Sequence, residues 1–288
     1  MSKLIGFIGQ GWIGKNYADD FETRGFETVR YALEEPYINN LEKLQSCRII
    51  FVAVPTPTTG GKFDDSIVRS AVKHAPKGAT VVIKSTIVPG TCEAIQKDYP
   101  EIFLMHSPEF LREKTAAHDA AHPERNIIGI PVQNEEYRSR AQEALDVLPK
   151  APFEHICTAR EAELIKYAGN CFLYTKVVYI NLLYDLAAKL GCDWEVVKEA
   201  FAADARLGKS HLNPVDKSGH NGADIKPGRG AGGHCFIKDY AAFVESYGKW
   251  VGDEAGLQML NSIKDKNLDL LTGSGKDLDL IDMVYSKD

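Results

Sequence analysis

The chain has 288 residues, 44% hydrophobic and 26% charged, with a formal net charge of -6 and a pI near 5.8. That length suits two domains or one large one at about 150 residues per domain, with apolar content enough for real cores. The acidic balance, with no basic run, argues against a nucleic-acid or anionic-membrane surface, and no apolar stretch approaches the roughly 18 residues of a membrane span. Met1-Ser2-Lys3 enters a strand-like run too short for a signal peptide, so a cytoplasmic enzyme is the expected class. Six cysteines (Cys47, Cys92, Cys157, Cys171, Cys192, Cys235) lack C-x-x-C spacing, which disfavours a zinc site and a disulfide framework.

Lys3 to Ile8 reads as a strand running into Gly9-Gln10-Gly11-Trp12-Ile13-Gly14, after which Lys15 to Arg24 forms a helix that stops near Gly25. In that context the glycines serve a tight turn, close approach to a pyrophosphate and close helix packing, and a dinucleotide site is expected over a plain glycine-rich turn. The second strand is Glu27 to Leu33. The acid that holds the ribose 2'-hydroxyl in NAD-preferring folds would fall near Ala32; Glu34 and Glu35 follow closely as substitutes, while Arg30 is readable as a 2'-phosphate contact.

Arg48 to Val54 and Ala79 to Lys84 are continuous apolar runs, suited to a parallel sheet covered on both faces. They exit into Pro55-Thr56-Pro57 and Ser85-Thr86-Ile87-Val88-Pro89-Gly90-Thr91. A hydroxyl at a strand's carboxyl end lies where open α/β sheets bind ligands, so Thr86 is a candidate site residue or, alternatively, a turn cap. A fifth strand, Ile102 to His106, leads into Ser107-Pro108-Glu109-Phe110-Leu111-Arg112-Glu113, where two carboxylates four apart are expected on one helix face. Asn126 to Ile130 is the sixth strand and Glu135 to Val147 a closing helix. Pro149 and Pro152 mark a boundary between a domain of residues 1–157 and one of residues 158–288.

After Thr158 a helix of about 30 residues, Glu161 to Leu190, is ended by Gly191 and would span about 45 Å. It is apolar around most of its circumference, the pattern of a helix buried on several sides, and this predicts a homodimer. Lys166, Asn170 and Asn181 fall in one narrow arc with Glu163 nearby. Such a stripe needs a reason, either satisfied interface contacts or a site, because an unpaired buried amine is costly. Val215 to Ile225 is a polar stretch without assignment. Four glycines then deliver the chain, at Gly228-Arg229-Gly230-Ala231-Gly232-Gly233-His234-Cys235-Phe236-Ile237-Lys238-Asp239, into one cysteine. Its thiol becomes a nucleophile if a helix N-terminus or Lys238 lowers its pKa from about 8.5; the alternative is a glycine turn before a structural cysteine. A helix is expected after Asp239 through Tyr247 and another from Glu254 to Leu271, then a short acidic tail.

The glycine–cysteine segment resembles the signature G-P-G-x-G-G-S-C-F-P-K-D of the nucleotide-sugar 6-dehydrogenases, the family of UDP-glucose dehydrogenase. Arg229 and Ile237 stand where prolines are usual, and His234 where the UDP-glucose branch has serine. Val54 to Pro57 resembles the family's V-P-T-P, Lys84 to Thr91 its K-S-T-V-P-V-G-T, Ser107 to Glu113 its N-P-E-F-L-R-E, and Ala162 to Asn170 its A-E-L-I-K-Y-A-x-N. Ala205-Arg206-Leu207-Gly208 and Leu212-Asn213-Pro214 resemble its P-R-I-G and F-L-N-P.

The resemblance implies a Rossmann-like, doubly wound parallel sheet followed by a mainly helical dimerisation domain. It further implies NAD as cofactor, a nucleotide sugar as substrate, and oxidation of a primary alcohol to a carboxylate (UDP-glucose to UDP-glucuronate) through a thiohemiacetal and thioester on Cys235. Lys166 and Asn170 are implied to stabilise oxyanions, Asp239 to activate water or orient Lys166, and Glu109 to assist proton transfer. Implied cofactor contacts are Gly9, Gly11, Trp12, Ile13, Gly14, Val54, Pro55, Thr86, Glu113 and Lys238; implied substrate contacts are Glu109, Phe110, Leu111, Glu113, Lys166, Asn170, Gly232 and Arg206, the last toward a neighbouring subunit's substrate. Two family features lack counterparts in the sequence: a longer excursion where Glu34 to Ser46 stands, and a third domain of about 100 residues, in the usual domain range, for the nucleotide half of the substrate. Two rivals are a single-step β-hydroxyacid dehydrogenase, which has a Lys-x-x-x-Asn helix and needs no cysteine, and a non-catalytic NAD-binding partner subunit.

Overall fold

The computed structural model describes residues 4–217 and 227–286, with the backbone alone of Glu113. In chain order the elements are β1 (Ile5–Ile8), α1 (Trp12–Thr23), β2 (Thr28–Tyr31), a 3₁₀ segment (Ile38–Ser46), β3 (Ile49–Val52), β4 (Thr58–Thr59), β5 (Lys62–Phe63), α2 (Ser66–Val72), β6 (Thr80–Ile83), α3 (Thr91–Asp98), β7 (Phe103–His106) and a 3₁₀ turn (Glu113–Thr115). There follow α4 (Ala116–Ala121), β8 (Arg125–Ile130), α5 (Glu135–Val147), β9 (Phe153–Thr158), α6 (Ala159–Lys189), α7 (Trp194–Ala203), β10 (Val215–Asp216), β11 (Gly228–Arg229), α8 (Gly233–Trp250), α9 (Glu254–Ser274) and α10 (Leu278–Tyr285). Two compact units divide the chain within α6: Met1–Pro57 with Asp64–Lys166, and Thr58–Phe63 with Tyr167–Asp288.

The first unit is a seven-stranded sheet of order β2-β1-β3-β6-β7-β8-β9. Every pairing is parallel except β7 with β8, which meet antiparallel at His106 and Gly129. All residues of β1, β3 and β6 are buried, as runs covered on both faces must be. Phe7 and Phe51 from the sheet meet Phe21 from α1 at ring-centroid separations of 5.3 to 5.4 Å; each such burial stabilises by about 1.5–3 kcal/mol. Arg24 lies over the Phe21 ring and donates to the Val147 carbonyl at 2.8 Å, which ties α1 to the end of α5. α5 starts where the sequence places it, because Asn134 accepts from the Tyr137 N–H and two acids occupy its first turn.

α6 is opened by a capping box: the Glu161 carboxylate accepts from the Thr158 N–H at 2.7 Å while Thr158 Oγ1 accepts from the Glu161 N–H. One turn on, the fully buried Glu163 accepts from the N–H groups of Gly90 (2.6 Å) and Cys92 (2.8 Å), and so caps α3 through tertiary contact.

In the second unit, Tyr174 of α6 stacks on Tyr240 of α8 at 3.9 Å, and Ile180 and Ala187 join Trp194 and Leu212 in a core cluster. The β4–β5 hairpin belongs to this unit, where the Gly61 N–H donates to the Val284 carbonyl of α10. β10 and β11 flank the unassigned polar stretch, whose residues 218–225 lie outside the described residues.

Several elements differ from the sequence expectation. The segment after Gly275 is not an acidic tail but α10, whose Leu280 and Val284 pack on Ile237, Ala241 and Leu271. α8 starts at Gly233 rather than after Asp239, so Cys235 sits on a helix's first turn. β9 and α7 were not expected; Asp193 starts α7 by accepting from the Glu195 N–H. Among the described residues no helix is long and apolar enough to cross a membrane.

Glu163→Ala removes the acceptor of two enclosed N–H groups, and each orphaned donor costs about 1–3 kcal/mol. A urea titration is expected to show the midpoint falling with the slope unchanged, a loss of about 2–6 kcal/mol in total.

Candidate active site

The first turn of the sheet is shaped for close approach. Gly9 has φ 92°, and a Cβ there would lie 2.2 Å from the Ala53 carbonyl oxygen; one at Gly14 would lie 2.0 Å from the Gly9 oxygen. A Cβ at Gly11, by contrast, would meet no atom within 4 Å. No side chain caps α1 and no acid occupies its first turn, so no carboxylate of the helix's own competes for its N-terminal N–H groups, which suits a pyrophosphate. Trp12 is exposed at this turn, and Ile13 is partly buried against the core. Arg30 pairs with Asp19 at 2.6 Å and Glu22 at 2.7 Å, which commits its guanidinium to two carboxylates. Val54 is latched to the next strand exit, since its N–H donates to Ser85 Oγ at 2.9 Å and that hydroxyl donates back to the Val54 carbonyl at 2.7 Å. Pro55 is exposed and Thr86 buried at these exits.

Beside them lies a buried polar cluster at the carboxyl ends of β6 and β7. Ile83 and His106 are paired in register, which brings Lys84 and Ser107 together, and the Lys84 amine donates to Ser107 Oγ at 3.1 Å while lying 4.5 Å from the centre of the Tyr17 ring. Burial first, opposed by the Glu109 charge, pulls the Lys84 amine down to about 7. His106 is fully enclosed and both ring nitrogens lack a hydrogen-bond partner; burial, then the Lys84 charge, lowers it to about 3. Lys166 donates to Glu109 twice, to its carbonyl at 2.7 Å and its carboxylate Oε1 at 2.8 Å, and Glu109 Oε2 accepts from the Leu111 N–H.

Residues 107–112 are irregular, so Glu109 and Glu113 do not share a helix face; Pro108 disfavours helix before it and the Glu109 carboxylate folds onto its own backbone. The Arg125 guanidinium stacks 3.7 Å from the centre of the Phe110 ring.

In the second unit Asn170 Nδ2 donates to Asp239 Oδ2 at 2.6 Å, and Lys238 Nζ to Asp239 Oδ1 at 2.6 Å. Asp239 is buried, so its charge is balanced by these two donors rather than by water. Cys235 precedes Asp239 by one turn of α8 and is exposed, with Gly232 as the helix N-cap. Arg206 is solvent-facing and paired with Asp204 at 2.6 Å. Every member of the polar stripe on α6 thus has a partner: Glu163 holds α3, Lys166 holds Glu109, Asn170 holds Asp239, and Asn181 accepts from Arg229. Lys84, Ser85 and His106 were missed as site residues, because a lysine closing an apolar run and a histidine inside one carry no signal until strand register places them together. Among the described residues no group of three or more His, Cys, Asp or Glu is placed to hold a metal ion.

Residues 37–145 match the NAD binding domain of the UDP-glucose/GDP-mannose dehydrogenase family and residues 160–268 its central domain. A UDP-glucose 6-dehydrogenase of Rickettsia typhi is 32% identical over 242 residues, covering 80% of this chain and 52% of the relative. The chain therefore spans about half the length of the curated relatives it matches. A UDP-glucose dehydrogenase structure from Pyrobaculum islandicum superposes with a TM-score of 0.76 at 26% identity, covering 92% of this chain and 68% of that one. A 3-hydroxyisobutyrate dehydrogenase from Mycobacterium tuberculosis shares the fold at TM-score 0.67 and 16% identity, with 99% of both chains covered.

An amine pulled down to about 7 in the folded state and near 10.4 when unfolded gives stability that is present above the unfolded value and lost as pH falls through the folded one. Lys84→Met has no amine to charge. Melting temperatures compared at steps from about pH 10 to about pH 7 are expected to show the variant gaining on the parent as pH falls.

Proposed function

The chain belongs to the UDP-glucose/GDP-mannose dehydrogenase family, and on that premise we propose that it oxidises a nucleotide sugar's primary alcohol to a carboxylate with NAD, taking UDP-glucose to UDP-glucuronate. The observation that carries this reading is the Asn170–Asp239 hydrogen bond, which ties the polar stripe of α6 to the helix whose first turn holds Cys235. A plain structural cysteine would need neither the buried carboxylate one turn away nor the amide fixed on it.

The glycine turn at Gly9, Gly11 and Gly14 and the N–H groups of α1 would hold the cofactor's pyrophosphate, with Trp12, Val54, Pro55 and Thr86 as further cofactor contacts. Bound NAD supplies the hydride acceptor for both oxidations. Lys166 and Asn170, one turn apart on α6, place an ammonium and an amide where the substrate oxygen gains charge. Glu109, bonded to Lys166, takes the alcohol proton as the aldehyde forms. The Cys235 sulfur then bonds to the aldehyde carbon and the proton moves to its oxygen, giving a thiohemiacetal. Loss of a second hydride and of that proton leaves a thioester. Water attacks its carbon, the C–S bond breaks, and the sulfur leaves as thiolate, so one alcohol and one water become one acid and two reduced cofactors.

An exposed apolar stripe on α6 (Leu164, Phe172, Tyr179, Leu182 and Leu186; 46 to 68% exposed), continued by Leu190 just after it, supports docking of a second copy along the helix, with Arg206 offered to the neighbour's substrate. A single-step β-hydroxyacid oxidation is the competing reading, compatible with the Lys-x-x-x-Asn spacing of Lys166 and Asn170, and it needs no thiol.

Counting reduced cofactor per substrate separates the two: two NADH and an acid are expected, against one NADH and a carbonyl for the rival. Cys235→Ser is expected to bind substrate but lose turnover by orders of magnitude, since an alkoxide leaves far less readily than a thiolate; turnover at the parental rate with two NADH would remove the thiol from the mechanism. Sedimentation at micromolar concentration is expected to show a dimer, and Phe172→Glu a folded monomer, because burying an unpaired charge costs several kcal/mol; a monomeric parent would defeat the docking.

A further inference from the structure

Glycines as dense as those before Cys235 suggest a loose loop, yet within the second unit this backbone is held at residue after residue. The Arg229 N–H donates to Ser274 Oγ at 2.9 Å. The Gly230 carbonyl accepts from Lys276 Nζ at 2.9 Å, and the same buried amine donates to Asp216 at 2.6 Å. Ala231 is bonded on both sides by the Asn267 amide, its N–H donating at 2.7 Å and its carbonyl accepting at 3.0 Å. The Gly233 N–H donates to Asp277 Oδ2 at 2.7 Å. Gly230 has φ 93°, and a Cβ there would lie 3.0 Å from Asn267 Oδ1, so the glycine admits the amide rather than motion.

The other side is held by Arg229, the residue that stands where the signature has proline. Its Nε donates to Asn181 Oδ1 at 2.8 Å and its Nη2 to the Asn181 carbonyl at 3.1 Å; it also pairs with Asp185 at 2.8 Å. Asn181 lies on the same polar arc of α6 as Asn170, so the arginine fixes the glycine segment to the helix that carries the amide bonded to Asp239.

We propose that Arg229 on the α6 side, and Asn267, Lys276 and Asp277 on the other, form a clamp that positions Cys235, and that Asp277 sets how readily its thiol ionises. These are positioning residues, and the inference rests on the reading of Cys235 as nucleophile. Asp277 occupies the first N–H of α8, two residues before the cysteine, at a terminus without a side-chain cap of its own. A carboxylate there adds negative charge where the helix dipole would favour a thiolate. Other charged or titratable groups on this turn and on the segments that meet it are His234, Lys238 and Asp239 on α8, Lys276 before α10, Asp279 within it, Asp216 on β10, Lys62 on β5, and His211, whose ring lies 5.7 Å from that of Phe236. All remain in place when Asp277 alone is changed.

The test is alkylation of the full chain by iodoacetamide in a Cys192→Ser background, which removes the other exposed cysteine. Asp277→Asn keeps an acceptor for the Gly233 N–H but no charge, and the pH midpoint of Cys235 alkylation is expected to move down by about half a unit. Arg229→Met is expected to lower kcat by about tenfold or more with KM for NAD unchanged, and Arg229→Lys to recover part of the loss. An unmoved midpoint in folded Asp277→Asn protein overturns the role of Asp277, and parental kcat in Arg229→Met overturns the clamp. If Arg229→Met does not fold, Asn267→Asp, which keeps the acceptor for Ala231 and removes its donor, takes its place under the same criterion. Alkylation reads the thiol without turnover, so an active Cys235→Ser enzyme would sink the nucleophile reading while leaving these outcomes separately legible.

Discussion

A helix of 31 residues that is buried along much of its length must supply a partner for each polar side chain it carries, since an unpaired group in such surroundings costs several kcal/mol. α6 carries four that matter, and each partner is a different part of the molecule. Glu163 closes the start of α3, Lys166 grips the irregular run after β7, Asn170 holds Asp239, and Asn181 receives Arg229. The chemistry attributed to Lys166 and Asn170 therefore draws on groups that packing already requires to be fixed. A donor fixed before substrate arrives needs no reorganisation when charge develops.

Much of this arrangement was legible in the sequence. Continuous apolar runs gave the parallel strands, Gly191 marked the end of α6, and the angular arithmetic of Lys166, Asn170 and Asn181 placed them in one stripe. What escaped depended on contacts between distant segments. The start of α8 was hidden because glycine density reads as loop, although Asp277 supplies the acceptor that helps a helix begin at Gly233. α10 was hidden because Asp279 and Asp282 look like a solvated tail, although Leu280 between them and Val284 just after are buried. Glu109 and Glu113 have helical spacing, yet the segment stays irregular because the Glu109 carboxylate accepts locally and from Lys166. His106 and Lys84 could not be paired before the register of β6 and β7 was known.

The cysteines show how far burial alone sorts chemistry. None of the six is in a disulfide. Burial pushes the thiols of Cys47 and Cys157 up to about 11, and raises those of Cys92 and Cys171 further, with the Glu163 and Asp239 charges adding to the effect. Such thiols stay protonated and inert near neutral pH. Cys192 and Cys235 alone are exposed, and of these Cys235 alone lies on the first turn of a helix beside a lysine and a buried aspartate.

The β4–β5 hairpin is written early in the chain, inside the stretch that builds the seven-stranded sheet, but its Gly61 N–H bonds to Val284 in α10. During synthesis from the N-terminus, those few residues emerge long before the surface they belong to exists. The Rossmann-like sheet can assemble around them, while the hairpin finds its partner only after α10 has left the ribosome. Closing so long a loop is entropically unfavourable, and the cost grows only slowly with length, so the delay is chiefly one of order of assembly rather than of stability. A nascent chain stalled before α10 would carry a finished nucleotide-binding half and an unpaired hairpin, with the Gly233 end of the cysteine helix still lacking Asp277.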